Sequence, residues 1–271
     1  MSRPHLDLHL HTTRSDGKYD PDVVLRRCAA ARLDVIALTD HDLTQELEVG
    51  ERVVDGHRLR LIGAAEISGM HEGREQHLLV YFPGEVPASF RAFCRDQCQE
   101  RAARYAAAVE RLGLHDLALP DQEAVDGLRS VTRMHLARDL VAKGHVIGVR
   151  DAFARMLSDR HGLVPPLSLS FEKAIGVARA AGGLTSWAHP PLPLVEAWVE
   201  RFAAAGLQGL EAFRPMVSSD ERRRYRRLAQ RHGLWLTGGS DWHGWGDDGD
   251  LGLFRVEARD VGDFLDALHA A

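Results

Sequence analysis

Apolar runs recur along this chain, and most of them end in a histidine or an acid. Leu6-Asp7-Leu8-His9-Leu10-His11 alternates with period two, so a strand there would point His9 and His11 to one side. Val35-Ile36-Ala37-Leu38 runs into Asp40-His41, and Leu61-Ile62-Gly63-Ala64-Ala65 runs into Glu66, with His77 in the same patch. Leu184-Thr185-Ser186-Trp187 leads to His189, and Leu234-Trp235-Leu236-Thr237 leads to Asp241 and His243. Polar clusters at the carboxyl ends of several parallel strands mark the active rim of a barrel.

Helical stretches separate these runs. Asp20-Pro21 reads as an N-cap followed by proline at the first helical position, opening a helix before a strand at 34–39. The same helix-then-strand pattern returns at 171–188, 195–213 and 220–238, which predicts an α/β fold built on a parallel sheet or barrel. Between about 85 and 165 the rhythm breaks into consecutive helices, at 90–112, 133–143 and 152–157. That stretch lies between His77 and His189, so it reads as a helical cap (85–165) inserted into a barrel formed by 1–84 and 166–271.

Composition agrees without deciding the matter. A chain of 271 residues, 45% hydrophobic and 27% charged, can bury a full core. Its net charge of -5 gives no general attraction to nucleic acid or anionic membrane, so an anionic substrate needs a local positive site. Neither a signal peptide at the start nor an apolar run long enough to span a membrane is evident, and a soluble, cytoplasmic protein is expected. Three scattered cysteines, Cys28, Cys94 and Cys98, read as ordinary buried thiols.

Nine residues stand out as potential metal ligands: His9, His11, Asp16, His41, Glu66, His77, His189, Asp241 and His243. Mixed imidazole and carboxylate donors suit zinc, manganese or iron. Six histidines and three acids grouped at successive strand ends have no simple packing explanation. Isolated histidines such as His5, His57, His71, His115, His145, His232 and His269 read as surface or satisfied core residues. Glu211 also ends a strand, and approach to the site and a structural ion pair are equally open for it. The run Arg222-Arg223-Arg224-Tyr225-Arg226-Arg227 spreads around a helix beside Asp220-Glu221, and reads as a solvated face.

Taken in order, Asp7-Leu8-His9-Leu10-His11-Thr12-Thr13 with Ser15-Asp16-Gly17, then Thr39-Asp40-His41-Asp42, His189-Pro190 and Gly239-Ser240-Asp241-Trp242-His243 resemble the four motifs of the PHP (polymerase and histidinol phosphatase) superfamily. The insert with Thr132-Arg133-Met134-His135-Leu136-Ala137-Arg138 and Gly162-Leu163-Val164-Pro165-Pro166 is similar to capped bacterial enzymes that dephosphorylate nucleoside 3',5'-bisphosphates. Some of those also trim short RNA from the 5' end. The resemblance implies a distorted (β/α)7 barrel holding two to three divalent ions. His9, His11, Glu66 and Asp241 would hold one, Glu66, His77 and His189 a second, and Asp16, His41 and His243 a third, with Asp40 orienting a ligand.

The function so implied is hydrolysis of a phosphomonoester of a small nucleotide by a metal-bound hydroxide, whose formation near neutral pH the ions promote. His243 and Asp16 are, besides being ligands, the catalytic candidates, with His243 able to serve the leaving oxygen. Arg133, His135 and Arg160 are candidates for the phosphate that is not cleaved, the first two because a helix start and a guanidinium fork suit phosphate. Leu163 stands where similar sequences often carry an aromatic residue, and Pro191-Leu192-Pro193 where many have a glycine and a base. Short RNA is a further substrate on this reading, and no protein partner is implied. The alternatives are another phosphomonoester such as histidinol phosphate, a C–N bond, and a non-catalytic metal-binding module.

Overall fold

The computed structural model describes residues 4–246 and 248–270. Its strands are β1 (His5–Leu10), β2 (Val35–Leu38), β3 (Gly50–Val54), β4 (His57–His71), β5 (Arg74–Phe82), β6 (Leu184–Trp187), β7 (Gly209–Phe213), β8 (Trp235–Gly238) and β9 (Val256–Glu257). Its helices are α1 (Pro21–Ala30), α2 (Ala88–Leu112), α3 (Gln122–Val125), α4 (Arg133–Ala142), α5 (Val149–Ala152), α6 (Phe171–Ala180), α7 (Leu192–Ala204), α8 (Ser219–His232) and α9 (Gly262–Ala270). A π-helical turn, Phe153–Leu157, continues α5.

The strands form one curved sheet in the order β8-β7-β6-β5-β4-β2-β1-β9, with β3 laid against β4. β1, β2 and β4 are mutually parallel, as are β6, β7 and β8. At the rim the sheet nearly closes on itself: Leu10 bridges Trp242 in parallel, and the Asp241 N–H donates to the His9 carbonyl at 2.9 Å. The expected distorted barrel is therefore present.

One part of it departs from the parallel pattern. β4 and β5 make an antiparallel hairpin through Glu72-Gly73, both at positive φ as a tight turn of this kind requires. His77 therefore does not end an apolar run; it precedes Leu78-Leu79-Val80-Tyr81-Phe82 and reaches the rim from the start of a reversed strand. A hairpin needs only a two-residue turn, whereas a parallel partner would have needed a crossover. The helix-then-strand rhythm also did not announce β9 or α9, whose Phe264 packs edge-on to Tyr81 beneath the barrel.

Leu6, Leu8, Ile67, Leu78, Val80, Tyr81, Trp187 and Leu210 are buried in the main core. Each such side chain contributes roughly 1.5–3 kcal/mol on burial. The helices between β5 and α6 have an apolar cluster of their own, including Ala108, Leu136, Ala137, Leu140 and Leu157. Among the described residues no helix is long and apolar enough to cross a membrane. Cys28, Cys94 and Cys98 are buried free thiols.

Candidate metal centre

The period of β1 delivers His9 and His11 to the same side, both fully buried. Two glycines let the chain close around them. A Cβ on Gly239 would lie 2.4 Å from that of His9, and one on Gly17 would lie 2.6 Å from the His11 backbone. Asp16 comes from the turn after β1. Asp40 holds that turn by accepting from the Thr12 N–H and hydroxyl (2.9 and 2.8 Å) and from the Ser15 N–H and hydroxyl (3.1 and 2.5 Å). Asp40 thus orients the loop that carries Asp16. Asp241 (φ 57) and His189 (φ 31) sit in the left-handed region, a strain that persists where surrounding structure fixes a side chain's direction.

All nine expected ligand residues converge. His9 Nε2 lies 3.4 Å from Glu66 Oε1 and 3.3 Å from Asp241 Oδ1, and His11 Nε2 lies 3.3 Å from Glu66 Oε2 and 3.2 Å from Asp241 Oδ1. On the other side of Glu66, His77 Nδ1 and His189 Nε2 lie 3.1 and 3.0 Å from Oε1 and 3.2 Å from each other. His41 Nδ1 is 3.0 Å from Glu66 Oε2, while its Nε2 turns to Asp16 at 3.7 Å; His243 Nε2 is 3.3 Å from Asp16 Oδ1. His41 therefore faces both Glu66 and the Asp16 end, where the sequence resemblance gave it only the latter. The ring faces of His11 and His243 stack at 4.0 Å between centroids.

This donor set fits divalent ions. His9 Nε2, His11 Nε2, His41 Nδ1, Asp16 Oδ1 and Glu66 Oε2 are buried without a hydrogen-bond partner, a costly state unless a cation satisfies them together. Donor separations of 3.0–3.4 Å resemble the ~3.4 Å edge of a tetrahedron with metal–nitrogen bonds of about 2.1 Å. Among the described residues four overlapping groups of such donors are present: His11, Asp16, His41 and His243; His9, His11 and Asp241; His9, Glu66 and His189; His41, Glu66 and His77.

Electrostatics agree. Burial alone would neutralise Glu66, but His41, His9 and His77 hold its carboxyl well below the usual range. Burial and the neighbouring His243 pull His11 down to about 4, which leaves it neutral, the form that binds metal. Burial opposes a charge on His243, but Asp16 and Asp241 push it up to about 10.

Glu211, which the sequence left open, proves to be a support. Its Oε1 accepts from His9 Nδ1 at 2.9 Å and its Oε2 from the His189 N–H at 2.7 Å. Asp7 likewise accepts from the Ser240 N–H at 2.8 Å, tying β1 to the loop that carries Asp241.

Beside His77 and His189 opens a cavity of about 870 Å³, whose lining includes Arg133, Phe153, Arg160 and Glu75. Arg133 is held by Asp159 at 2.6 Å and Glu75 at 3.2 Å. Burial resists a charge on Glu75, yet Arg133, His77, Arg104 and Arg101 hold it ionised. His135 does not line this cavity: its Nδ1 accepts from the Thr132 N–H at 3.0 Å, completing a capping box, and burial lowers it to about 4. Leu163 does not line it either; Phe153 supplies the aromatic wall. In the arginine-rich helix α8, Arg223 pairs with Asp220 and Arg224 with Glu196 (2.5 Å), as a solvated face would.

Fold and site together define a metal-dependent hydrolase. No family model matches the chain. It is 34% identical over 251 residues, 88% of this chain and 84% of the other, to the 5'-3' exoribonuclease Rnm of Salmonella typhimurium. It is 31% identical over 268 residues, 95% and 90% of the two chains, to the 3',5'-nucleoside bisphosphate phosphatase of Chromobacterium violaceum. A crystal structure from Bifidobacterium adolescentis, assigned as a metal-dependent phosphoesterase, superposes with a TM-score of 0.77 over 96% of this chain and 95% of its own, at 28% identity. The chain belongs to the PHP superfamily of metal-dependent phosphoesterases, in the group of these phosphatases and exoribonucleases. It is a hydrolase, and the donor cluster and the solved neighbour agree in pointing to divalent metal ions.

Proposed function

We propose that the chain hydrolyses a phosphomonoester of a small nucleotide such as a nucleoside 3',5'-bisphosphate, and that it also accepts short 5'-phosphorylated RNA. The observation that carries this reading is the cavity lined by His77 and His189 together with Arg133 and Arg160. It has donors for one phosphate and guanidinium groups for a second. The names of the relatives, which act on nucleoside bisphosphates and RNA, support the same substrate class.

On this reading residues 85–165 form a cap over a barrel made by 1–84 and 166–271. Their separate apolar cluster and the position of Arg133 at the start of α4 support that division. His9, His11, Glu66 and Asp241 would hold one ion, Glu66, His77 and His189 another, and Asp16, His41 and His243 a third, with manganese, zinc or iron all suited to the donors. Bound there, the ions supply Lewis acidity towards phosphate and activate water at neutral pH.

The protein's own groups complete the chemistry. Arg133 and Arg160 bind the phosphate that remains, which fixes the scissile group beside His77 and His189. Glu211 fixes the ring of His9, and Asp40 fixes the turn of Asp16. His243 Nδ1 faces the Asp241 carbonyl at 2.8 Å, so its Nε2 is the atom directed to Asp16. When no third ion is held there, that Nε2 carries a proton and delivers it to the departing ribose oxygen.

The test is phosphate release from adenosine 3',5'-bisphosphate, AMP, histidinol phosphate and a 5'-phosphorylated RNA dinucleotide, using metal-loaded protein beside Asp241→Ala. Release from the bisphosphate well above that from AMP, and lost in the variant, is expected. No release from any of the four by protein with confirmed metal content would overturn the reading.

A further inference from the structure

Glu75 joins the two halves of the cavity through one carboxylate. It lies two residues before His77 on β5, so both side chains leave the same face of the strand. Its Oε1 is 3.4 Å from His77 Nε2 and 3.8 Å from Arg101, while its Oε2 is 2.8 Å from Arg104 and 3.2 Å from Arg133. The side chain is 5% exposed.

The partners of those partners separate their tasks. Arg101 is also fixed by Asp42 and by the Ser68 hydroxyl, and Arg104 by the Pro165 carbonyl at 2.5 Å. Both belong to α2 and are anchored whether or not anything enters the cavity. Arg133 is different: it is 20% exposed, lines the cavity, and otherwise holds only the partly exposed Asp159 and the face of Phe153. On the opposite side, His77 Nδ1 is turned towards Glu66 and His189. Donation from Nε2–H to Glu75 leaves Nδ1 with its lone pair aimed at them, the tautomer a metal ligand needs.

We infer that Glu75 is a positioning residue that sets the tautomer of His77 with one oxygen and the direction of the Arg133 guanidinium with the other. Metal affinity and grip on the uncleaved phosphate then depend on the same carboxylate. A glutamine could not replace it, since one amide offers a single acceptor oxygen to a place where three guanidinium groups and an imidazole all donate. This rests on the metal-centre reading given above. A purely structural ion pair that pins α2 to the barrel would instead affect stability alone.

Metal-free protein titrated with Co2+, followed by its visible absorption, separates the two, alongside KM and kcat for adenosine 3',5'-bisphosphate. Glu75→Gln is expected to weaken Co2+ binding tenfold to a hundredfold, alter the absorption band and raise KM. Arg104→Gln, which removes a cap-side partner but leaves His77 untouched, is expected to lower Tm with Co2+ affinity within about twofold of wild type. Should Glu75→Gln fail to fold, Glu75→Asp carries the comparison: it keeps the charge, shortens the reach to His77, and is expected to lose Co2+ affinity severalfold. Unchanged Co2+ affinity and spectrum in the folded Glu75 variant, with only Tm reduced, would overturn the inference. A wild-type protein that binds no Co2+ would overturn the metal-centre reading, and the inference with it.

Discussion

The Thr132 hydroxyl donates to Asp16 Oδ2 at 2.8 Å, so the N-cap residue of α4 reaches from the helices between β5 and α6 to an acid in the turn after β1. The same oxygen accepts from the Met134 N–H at 3.1 Å, which makes Thr132 both a helix cap and a contact to the site. Thr132→Ala is expected to cost about 1 kcal/mol through the lost cap. It should also lower kcat by releasing Asp16, whereas Thr132→Ser should retain both functions. Urea unfolding and initial rates on the three proteins check this; an alanine variant with wild-type kcat would confine Thr132 to helix capping.

The buried Glu211 holds His9 through its side chain and His189 through its backbone. Glu211→Gln keeps the shape but offers one acceptor oxygen where two N–H groups donate, its amide nitrogen being a donor only, and metal affinity should fall by about tenfold to a hundredfold. Calorimetric titration with Mn2+ reads this directly. Equal affinity in the two proteins would mean that His9 is oriented well enough by β1 alone.

Arg133 meets the cavity from the start of α4. If it grips the uncleaved phosphate in ground and transition states alike, Arg133→Met should raise KM about tenfold to a hundredfold with kcat nearly unchanged, the loss of a charge-assisted pair. A fall in kcat at constant KM would place Arg133 on the scissile group instead.

Chelation should destabilise the protein, because ions bind the folded donor set and not the dispersed one. An ion at a hundredfold excess over its Kd contributes about 2.7 kcal/mol, or roughly 5–10 °C in Tm for a chain of this size. The gain should fade towards pH 5, since the histidine ligands must be deprotonated to bind. Thermal unfolding with and without EDTA across that range provides the comparison, and a Tm independent of metal at pH 7.5 would contradict it.

Away from the site, Glu172 in the first turn of α6 lies 3.1 Å from His71 and 2.8 Å from Arg201. Burial opposes its charge, but the backbone N–H of its helix turn, His71 and Arg201 together hold it below the ordinary value of 4.5. A depressed folded-state pKa stabilises above the unfolded value and is lost as pH falls through the folded one. Glu172→Gln should therefore cost up to about 1 kcal/mol at pH 7, with the gap to wild type closing below about pH 4. Denaturant midpoints at the two pH values measure it.

Much of this protein was determined by sequence alone. Alternation in residues 6–11 fixed which way His9 and His11 face, because a strand has no other period. Repeated helix-then-strand spacing predicted a parallel sheet or barrel, the motif resemblance narrowed it to a barrel, and acids and imidazoles clustered mostly at successive strand ends marked the nine residues that converge. These features are local or periodic, so they can be read in one dimension. What only the tertiary structure decided depends on residues far apart in the chain. The β4–β5 hairpin turned one strand over and brought His77 in from its beginning. Glu211 became a support because β7 happens to lie where its carboxylate reaches both His9 and His189, about 200 and 20 residues away. His135 was drawn into a capping box when Thr132 took the N-cap, while Glu75, unremarkable in the sequence Arg74-Glu75-Gln76-His77, became the meeting point of α2, α4 and β5. A carboxylate's role follows from which donors surround it, and packing alone supplies those neighbours.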